Sequence, residues 1–279
     1  MKFDVVIMNP PYQASAAEGG QKGTRTHIWD KFVEKSLELL EDDGFLCAIH
    51  PGGWRVDGKF KECGEKIKER DIKYLNINSI KEGQNTFGVT QQFDWYILQN
   101  KKYSGETIVN DEEGKETKLS LSELKSIPNF MIDEIYKLFA KKGEEKVKFI
   151  TDRSAYGSDK DWVSKEKTDT HIYPVFYSLP QKGEQIWWSS RNDKGHFGIP
   201  KVIWSNGAAT QILIDEKGEY GMTQWAYAIA DDPKNLPLIK KAMESNKFSE
   251  LCKGMRFTFD KFNGKFIRHF KKDFWKDFV

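Results

Sequence analysis

Phe3 to Met8, "FDVVIM", is a near-continuous apolar run of strand length, and it reads as a short strand buried on both faces. Pro10 and Pro11 must end it, because neither can donate to a ladder. The stretch that follows, "QASAAEGGQKGTRT", is small, polar and glycine-rich, the composition of a loop. "HIWDKFVEKSLELLEDDG" then places Ile28, Phe32 and Leu39 on a helical period, with Gly44 as a stop. "FLCAIHP" (Phe45 to Pro51) reads as a second buried strand, "GKFKECGEKIKERD" as a surface helix, "IKYLNINSI" as a third strand and "FDWYILQN" as a fourth. This alternation predicts a layered α/β domain with a largely parallel sheet, its last two strands forming a hairpin.

Residues 101–118 are polar and charged, as in a linker or exposed hairpin, and a helix is predicted from Ser122 to Ala140, with Gly143 ending it. Beyond residue 145 the texture changes to short aromatic runs separated by turn residues, which predicts a mostly β second domain with one helix near "PLIKKAMESNKF". The expected organisation is a catalytic part over 1–118, a connecting helix over 119–145 and a second domain over 146–279.

Among 279 residues, 31% are charged and 38% hydrophobic, an ordinary soluble composition. No apolar run approaches the ~20 residues of a membrane span, and residues 1–8 do not make a signal peptide, so a cytoplasmic setting without membrane contact is expected. Cys47, Cys63 and Cys252 are scattered and suggest reduced thiols. No His, Cys or carboxylate set has ligand spacing; His27, His50 and His196 stand apart, and no metal is expected. The net charge of +2 neither announces nor excludes nucleic acid.

Chemistry concentrates at Asn9-Pro10-Pro11-Tyr12. In open α/β sheets ligands bind beyond the carboxyl ends of strands, and this loop leaves one directly. The prolines fix the backbone, so that the Asn9 amide oxygen and the Pro10 carbonyl converge on one point and can accept both hydrogens of an exocyclic amino group. Tyr12 offers a flat face for a planar ring. An ordinary Asn-Pro turn is the bland alternative, and the preceding buried strand argues against it.

"FDVVIMNPPYQ" resembles motif IV of the gamma-type N6-adenine DNA methyltransferases. "HIWDKFVEKSLELLEDDGFLCAIHPGGW" is similar to the helix and strand that follow it in the Eco57I-like and TaqI-like branch, and "NTFGVTQQFDWYILQN" is similar to the motif VIII strand pair. The likeness covers residues 1–100 and is suggestive over 145–279, where that branch carries a target-recognition domain. The resemblance implies a partial Rossmann-like class I methyltransferase sheet followed by a mostly β recognition domain, in a bacterial or phage restriction–modification setting. It implies that an adenine is flipped out of double-stranded DNA and methylated at N6 from S-adenosylmethionine. Asn9 and the Pro10 carbonyl would then grip the amine within a catalytic set of Asn9, Pro10, Pro11 and Tyr12, Tyr12 would stack on the base, and Phe87 would be the second stacking face, with a core aromatic as its alternative.

The family's glycine-rich cofactor turn has no room before Asn9, and none of "AEGGQKG", "HPGGW", "SNGAA" and "FNGKF" follows a buried strand and opens a helix. The expectation is therefore a split or truncated enzyme whose partner subunit supplies the S-adenosylmethionine-binding half, with "FDVVIM" exposing an apolar edge. A catalytically silent DNA-binding or anti-restriction subunit is the alternative from another class; methylation of RNA or of a protein glutamine is the alternative reaction. For DNA contact the candidates are Lys22 and Arg25 in the loop, and Arg191, Lys194 and Lys201 among Trp187, Trp188 and Trp204. Arg268 is added from a tail that alternates Phe with basic residues. Core tryptophans and an inward Phe face are the competing readings.

Overall fold

In the computed structural model, which describes residues 1–14, 27–103, 105–152, 154–178, 185–194, 196–207, 211–257 and 262–279, the chain divides into two units, Met1–Phe130 and Met131–Val279. The first unit contains β1 (Phe3–Met8), α1 (Trp29–Leu39), β2 (Leu40–Pro51), α2 (Lys61–Lys68), β3 (Arg70–Asn78), α3 (Ile80–Phe87), β4 (Phe93–Lys102), β5 (Thr107–Asn110) and β6 (Glu116–Leu119). The strands form one sheet in the order β1-β2-β4-β3-β5-β6. β1 runs parallel to β2, and β3 to β5; the other three neighbouring pairs are antiparallel. The sheet is mixed, not largely parallel, because β4 returns between β2 and β3. The expected antiparallel pairing of β3 with β4 is present, but α3 stands between them in place of a tight turn.

α1 keeps the expected period with a shifted phase. Trp29, Val33 and Leu37 are buried while Phe32 is 45% exposed. The helix ends at Leu39, five residues before the expected stop at Gly44. Leu40 already pairs with Phe3, and the next pairing, Val5 with Phe45, leaves Glu41–Gly44 as a bulge on β2.

One face of the sheet is closed. Leu46, Ala48, Leu75, Ile77, Tyr96 and Leu98 are fully buried, and Trp29 of α1 stacks on His50 of β2 at 4.3 Å. Alternate positions point the other way and stay open: Phe3 is 41% exposed, Val5 54% and Ile7 79%, with Phe45 and Ile97 also exposed. β1 is thus not buried on both faces as its apolar run suggested. It is an edge strand with a neighbour on one side, and α1 covers only its Val6 and Met8 side, where Ser36 Oγ reaches Met8 Sδ at 3.3 Å.

In place of the long helix expected over 122–140 there is a short turn, Leu121–Glu123, then extended chain and α4 (Ile132–Tyr136). Pro128 supplies the reason, since its ring removes a donor and disfavours a helical residue before it. The second unit is rich in strands through Ala230, as expected, and helical beyond it. It holds β7 (Lys148–Ile150), β8 (Val163–Ser164), β9 (Tyr173–Ser178), β10 (Gln185–Ser189), β11 (Lys201–Ser205), β12 (Leu213–Asp215), β13 (Gly221–Met222) and β14 (Ala226–Ala230). Two four-stranded sheets result, β13-β9-β10-β8 and β12-β11-β14-β7, and Phe176, Ile203, Met222, Ala226 and Ala228 form a core cluster. The single expected helix is two, α5 (Leu236–Glu244) and α6 (Asn246–Gly254), divided by Ser245, whose hydroxyl caps α6 by accepting from Phe248 N. A short α7 (Gly264–Ile267) follows, and Phe262, Phe266, Phe270 and Phe274 turn inward. Among the described residues no helix is long and apolar enough to cross a membrane.

Candidate functional site

The carboxyl end of β1 delivers Asn9 to the rim of a cavity of about 700 Å³, lined on one side by Asn9 to Gln13 and on the other by Phe87, Val89, Thr90 and Gln91. Pro10 is buried and anchors the turn, while Asn9 and Pro11 are exposed at the opening. Tyr12 is half-buried. Its carbonyl accepts from Ile28 N at 3.3 Å, which ties the loop to the start of α1. Its hydroxyl is buried with no hydrogen-bond partner among the described residues, and burial raises its pKa. Phe87 ends α3 and meets Phe93 edge-on, ring centroids 5.0 Å apart at 77°. Asn9, Pro10, Pro11, Tyr12 and Phe87 therefore line one cavity, of a size that suits a small planar ligand.

Beneath the loop lies a buried polar and aromatic layer that the sequence did not announce. Trp29 stacks on His50, and the Tyr96 hydroxyl lies 3.0 Å from His50 Nε2. His50 Nδ1 sits 3.1 Å from the Pro51 carbonyl, an acceptor that places the proton on Nδ1 and leaves Nε2 to accept from Tyr96. Burial drives the His50 pKa down to about 4, so the ring is neutral. In the unfolded chain a histidine titrates near 6.5. Below that pH the unfolded state takes up a proton that the folded state refuses, and stability falls as pH falls until about 4. The expected loss approaches ~3 kcal/mol over that window. Denaturant titrations at pH 7 and pH 4.5 on wild type and His50→Gln measure it; an equal acid loss in the variant would refute it.

Next to this layer, Arg55 and Asp94 form a fully buried ion pair, Nε to Oδ2 at 2.7 Å. Trp54 Nε1 donates to the same oxygen at 2.9 Å. The Arg55 guanidinium also donates to the Ile127 carbonyl at 3.0 Å and to Asn129 Oδ1 at 3.0 Å, fixing the chain beyond β6.

The other sequence candidates are dispersed. Lys22 and Arg25 lie outside the described residues. Lys201 is fully buried: its ammonium donates to Asp215 Oδ2 at 2.6 Å and to the carbonyls of His196 and Ile199. A cation enclosed by three acceptors reaches no phosphate, so Lys201 leaves the contact set. Trp204 is likewise core. Arg191 forks onto the Asp193 carboxylate, which it holds down at about 2, and lies 5.3 Å from the Trp162 ring. Lys194 is half-buried in the same turn, where its backbone N–H donates to the Tyr156 hydroxyl at 3.0 Å. Trp187 and Trp188 are half-buried, with Lys165 and Lys167 over their rings. Arg268 lies over Phe149 at 5.3 Å.

Sequence reading missed α3 and the residues it brings to the cavity, Val89, Thr90 and Gln91. The signal was present: Ser79 and Glu82 form a capping box, Ser79 Oγ accepting from Glu82 N at 3.1 Å and Glu82 Oε2 from Ser79 N at 2.7 Å. Gly88, at φ 68°, closes the helix.

Residues 1–87 match the family model of the Eco57I restriction-modification methylases, in line with the likeness read over residues 1–100. An uncharacterized adenine-specific methylase of Mycoplasma pneumoniae (strain ATCC 29342 / M129 / Subtype 1) is 32% identical over 131 residues, 44% of this chain and 30% of that protein. The chain thus spans under a third of the length of that curated relative. Among solved structures, the type IIL restriction-modification enzyme MmeI in complex with DNA is similar at 10% identity, covering 86% of this chain and 42% of that one with a TM-score of 0.41. The type IIG restriction endonuclease BpuSI is similar at 11% identity, covering 98% and 48% with a TM-score of 0.39.

Proposed function

We propose that this chain contributes the amine-holding site of an adenine-specific DNA methyltransferase that uses S-adenosylmethionine. The observation that carries this reading is the convergence of Asn9, Pro10 and Tyr12 with Phe87 around one cavity at the carboxyl end of β1. The Asn9 side-chain oxygen and the Pro10 carbonyl accept the two N–H bonds of the adenine amino group. That draws the nitrogen towards a tetrahedral shape and directs its lone pair outwards. Tyr12 and Phe87 hold the ring between their faces, which offsets the few kcal/mol spent in flipping a base out of the duplex. No strong base is required, because the methylated amine is a cation that releases its proton to water. The chain's contribution is positioning and electrostatics.

The turn after β2 does not fit the cofactor itself. The glycine pair that follows β2, Gly52-Gly53, has its open space filled from within: a side chain at Gly52 would meet Arg55 and Asp94 at 2.9–3.0 Å, and one at Gly53 would meet the Phe60 ring at 3.0 Å. Asp94, the carboxylate near that strand end, is fully buried, with its Oδ2 held by Arg55 and Trp54. Among the described strands β1 pairs with β2 alone, and Phe3, Val5 and Ile7 stand exposed on its open face; together these support a partner subunit that continues the sheet past β1, covers that face and brings the cofactor contacts.

The test is transfer of labelled methyl groups from S-adenosylmethionine to mixed-sequence double-stranded DNA, followed by digestion to nucleosides. It is run with the chain alone and with the product of a neighbouring gene. Label recovered as N6-methyladenine supports the reading. Label on RNA or on protein glutamine would replace it with the corresponding transferase. Absence of any transfer in both arrangements, with DNA binding intact, would make the chain a silent binder.

A further inference from the structure

Gly83 lies in the middle of α3, where a glycine lowers helix stability relative to alanine. Its backbone is in close contact with the loop that follows the helix. A Cβ at Gly83 would stand 2.0 Å from the Gln91 carbonyl oxygen, 3.1 Å from its carbon and 3.2 Å from the Val89 carbonyl oxygen. These are backbone atoms and cannot swing aside as a side chain would. The loop folds back through Gly88, bonds Val89 N to the Gly83 carbonyl at 3.4 Å and Gln91 N to the Val89 carbonyl at 2.9 Å, and adds Thr90 Oγ1 to Gln84 Oε1 at 3.2 Å. Its residues Val89, Thr90 and Gln91, with Phe87, are the cavity wall that faces Asn9 to Gln13.

We infer that Gly83 is a positioning residue for that wall: the missing side chain lets the loop over 88–91 lie directly on α3 and holds Phe87 and Gln91 in place opposite Asn9 to Gln13. The inference rests on the amine-holding reading of the cavity and extends it to a residue that does not line it. Helix propensity and close contact predict opposite outcomes for Gly83→Ala. A firmer helix would leave the loop alone or steady it, whereas a displaced Gln91 carbonyl releases it. Misplacements of about 1 Å cost on the order of 10²-fold in rate where geometry sets the reaction.

Two measurements on the full chain decide it. Amide hydrogen exchange over residues 84–92 is expected to be at least tenfold faster in Gly83→Ala than in wild type, while Gly105→Ala, whose added methyl would meet nothing within 4 Å, exchanges as wild type does. Adenosine, titrated by saturation-transfer NMR, is expected to bind at least tenfold more weakly to Gly83→Ala and normally to Gly105→Ala. Unchanged exchange, or faster exchange with unchanged adenosine binding, overturns the inference. Adenosine that binds wild type and Tyr12→Ala equally overturns the reading of the cavity, and the positioning role with it, while the exchange result still reports on the contact. Should Gly83→Ala not fold, Gly88→Ala strains the same turn through its φ of 68° without a contact, and the same pair of results is expected from it.

Discussion

Asn9→Ala is expected to lower methyl transfer to DNA by about 10²- to 10³-fold, the range seen when one preorganised polar group is removed from a developing charge. The thermal midpoint should not move, because Asn9 is exposed at the cavity rim and its side chain carries no internal hydrogen bond recorded among the described residues. The separation of the two effects is the informative part. The Pro10 carbonyl remains as an acceptor, and Tyr12 and Phe87 still present their faces, so adenosine should bind only modestly less well while transfer collapses. A loss mainly in KM would instead mean that Asn9 grips the ground state and transition state alike. Transfer is measured with the chain in whatever assembly makes wild type active. A variant as fast as wild type in that assembly would remove Asn9 from the chemistry, and with it the reason to read the loop as a methyltransferase site.

That the loop could be found from sequence alone follows from how it is built. Four consecutive residues carry most of its polar chemistry, and the strand that delivers them is contiguous with them. Phe87 was legible for a weaker reason, its place in "NTFGV", and the structure brings it to the facing wall. What escaped the sequence is what depends on distant pairing. The phase of α1 is set by Trp29 meeting His50 across the sheet, and no local count of Ile28, Phe32 and Leu39 reveals it. The exposure of Val5 and Ile7 depends on which face of the sheet a distant element covers, and α1 covers the other one. Lys201 looked like a surface cation among turn residues, yet Asp215, brought alongside by the β11–β12 pairing, draws it inside. The helix expected around Pro128 failed for a local reason that was available: a proline seven residues into the segment.

Asp94→Ala is expected to cost 3–5 kcal/mol, the range for leaving one member of a buried ion pair without its partner. The Arg55 guanidinium would keep its bonds to the Ile127 and Asn129 oxygens but lose the carboxylate it pairs with, in a fully buried site. Trp54 Nε1 would lose its acceptor at the same time. Asp94 is the second residue of β4, directly across from His50 and Ile77, so the damage falls at the end of the sheet that carries the cavity. Burial raises the Asp94 carboxyl pKa against the pull of Arg55, which shows that the pair sits in a medium that resists charge. For that reason the double replacement Arg55→Met with Asp94→Leu is expected to recover much of the stability lost by Asp94→Ala, since apolar groups of similar volume avoid the desolvation altogether. Guanidinium titrations of the single and double variants measure both terms. If Asp94→Ala loses less than about 1 kcal/mol, the upper bound usual for exposed pairs, the carboxylate is not the counter-charge that keeps Arg55 inside. The anchoring of the chain at Ile127 to Asn129 would then rest on the guanidinium's hydrogen bonds to oxygen alone.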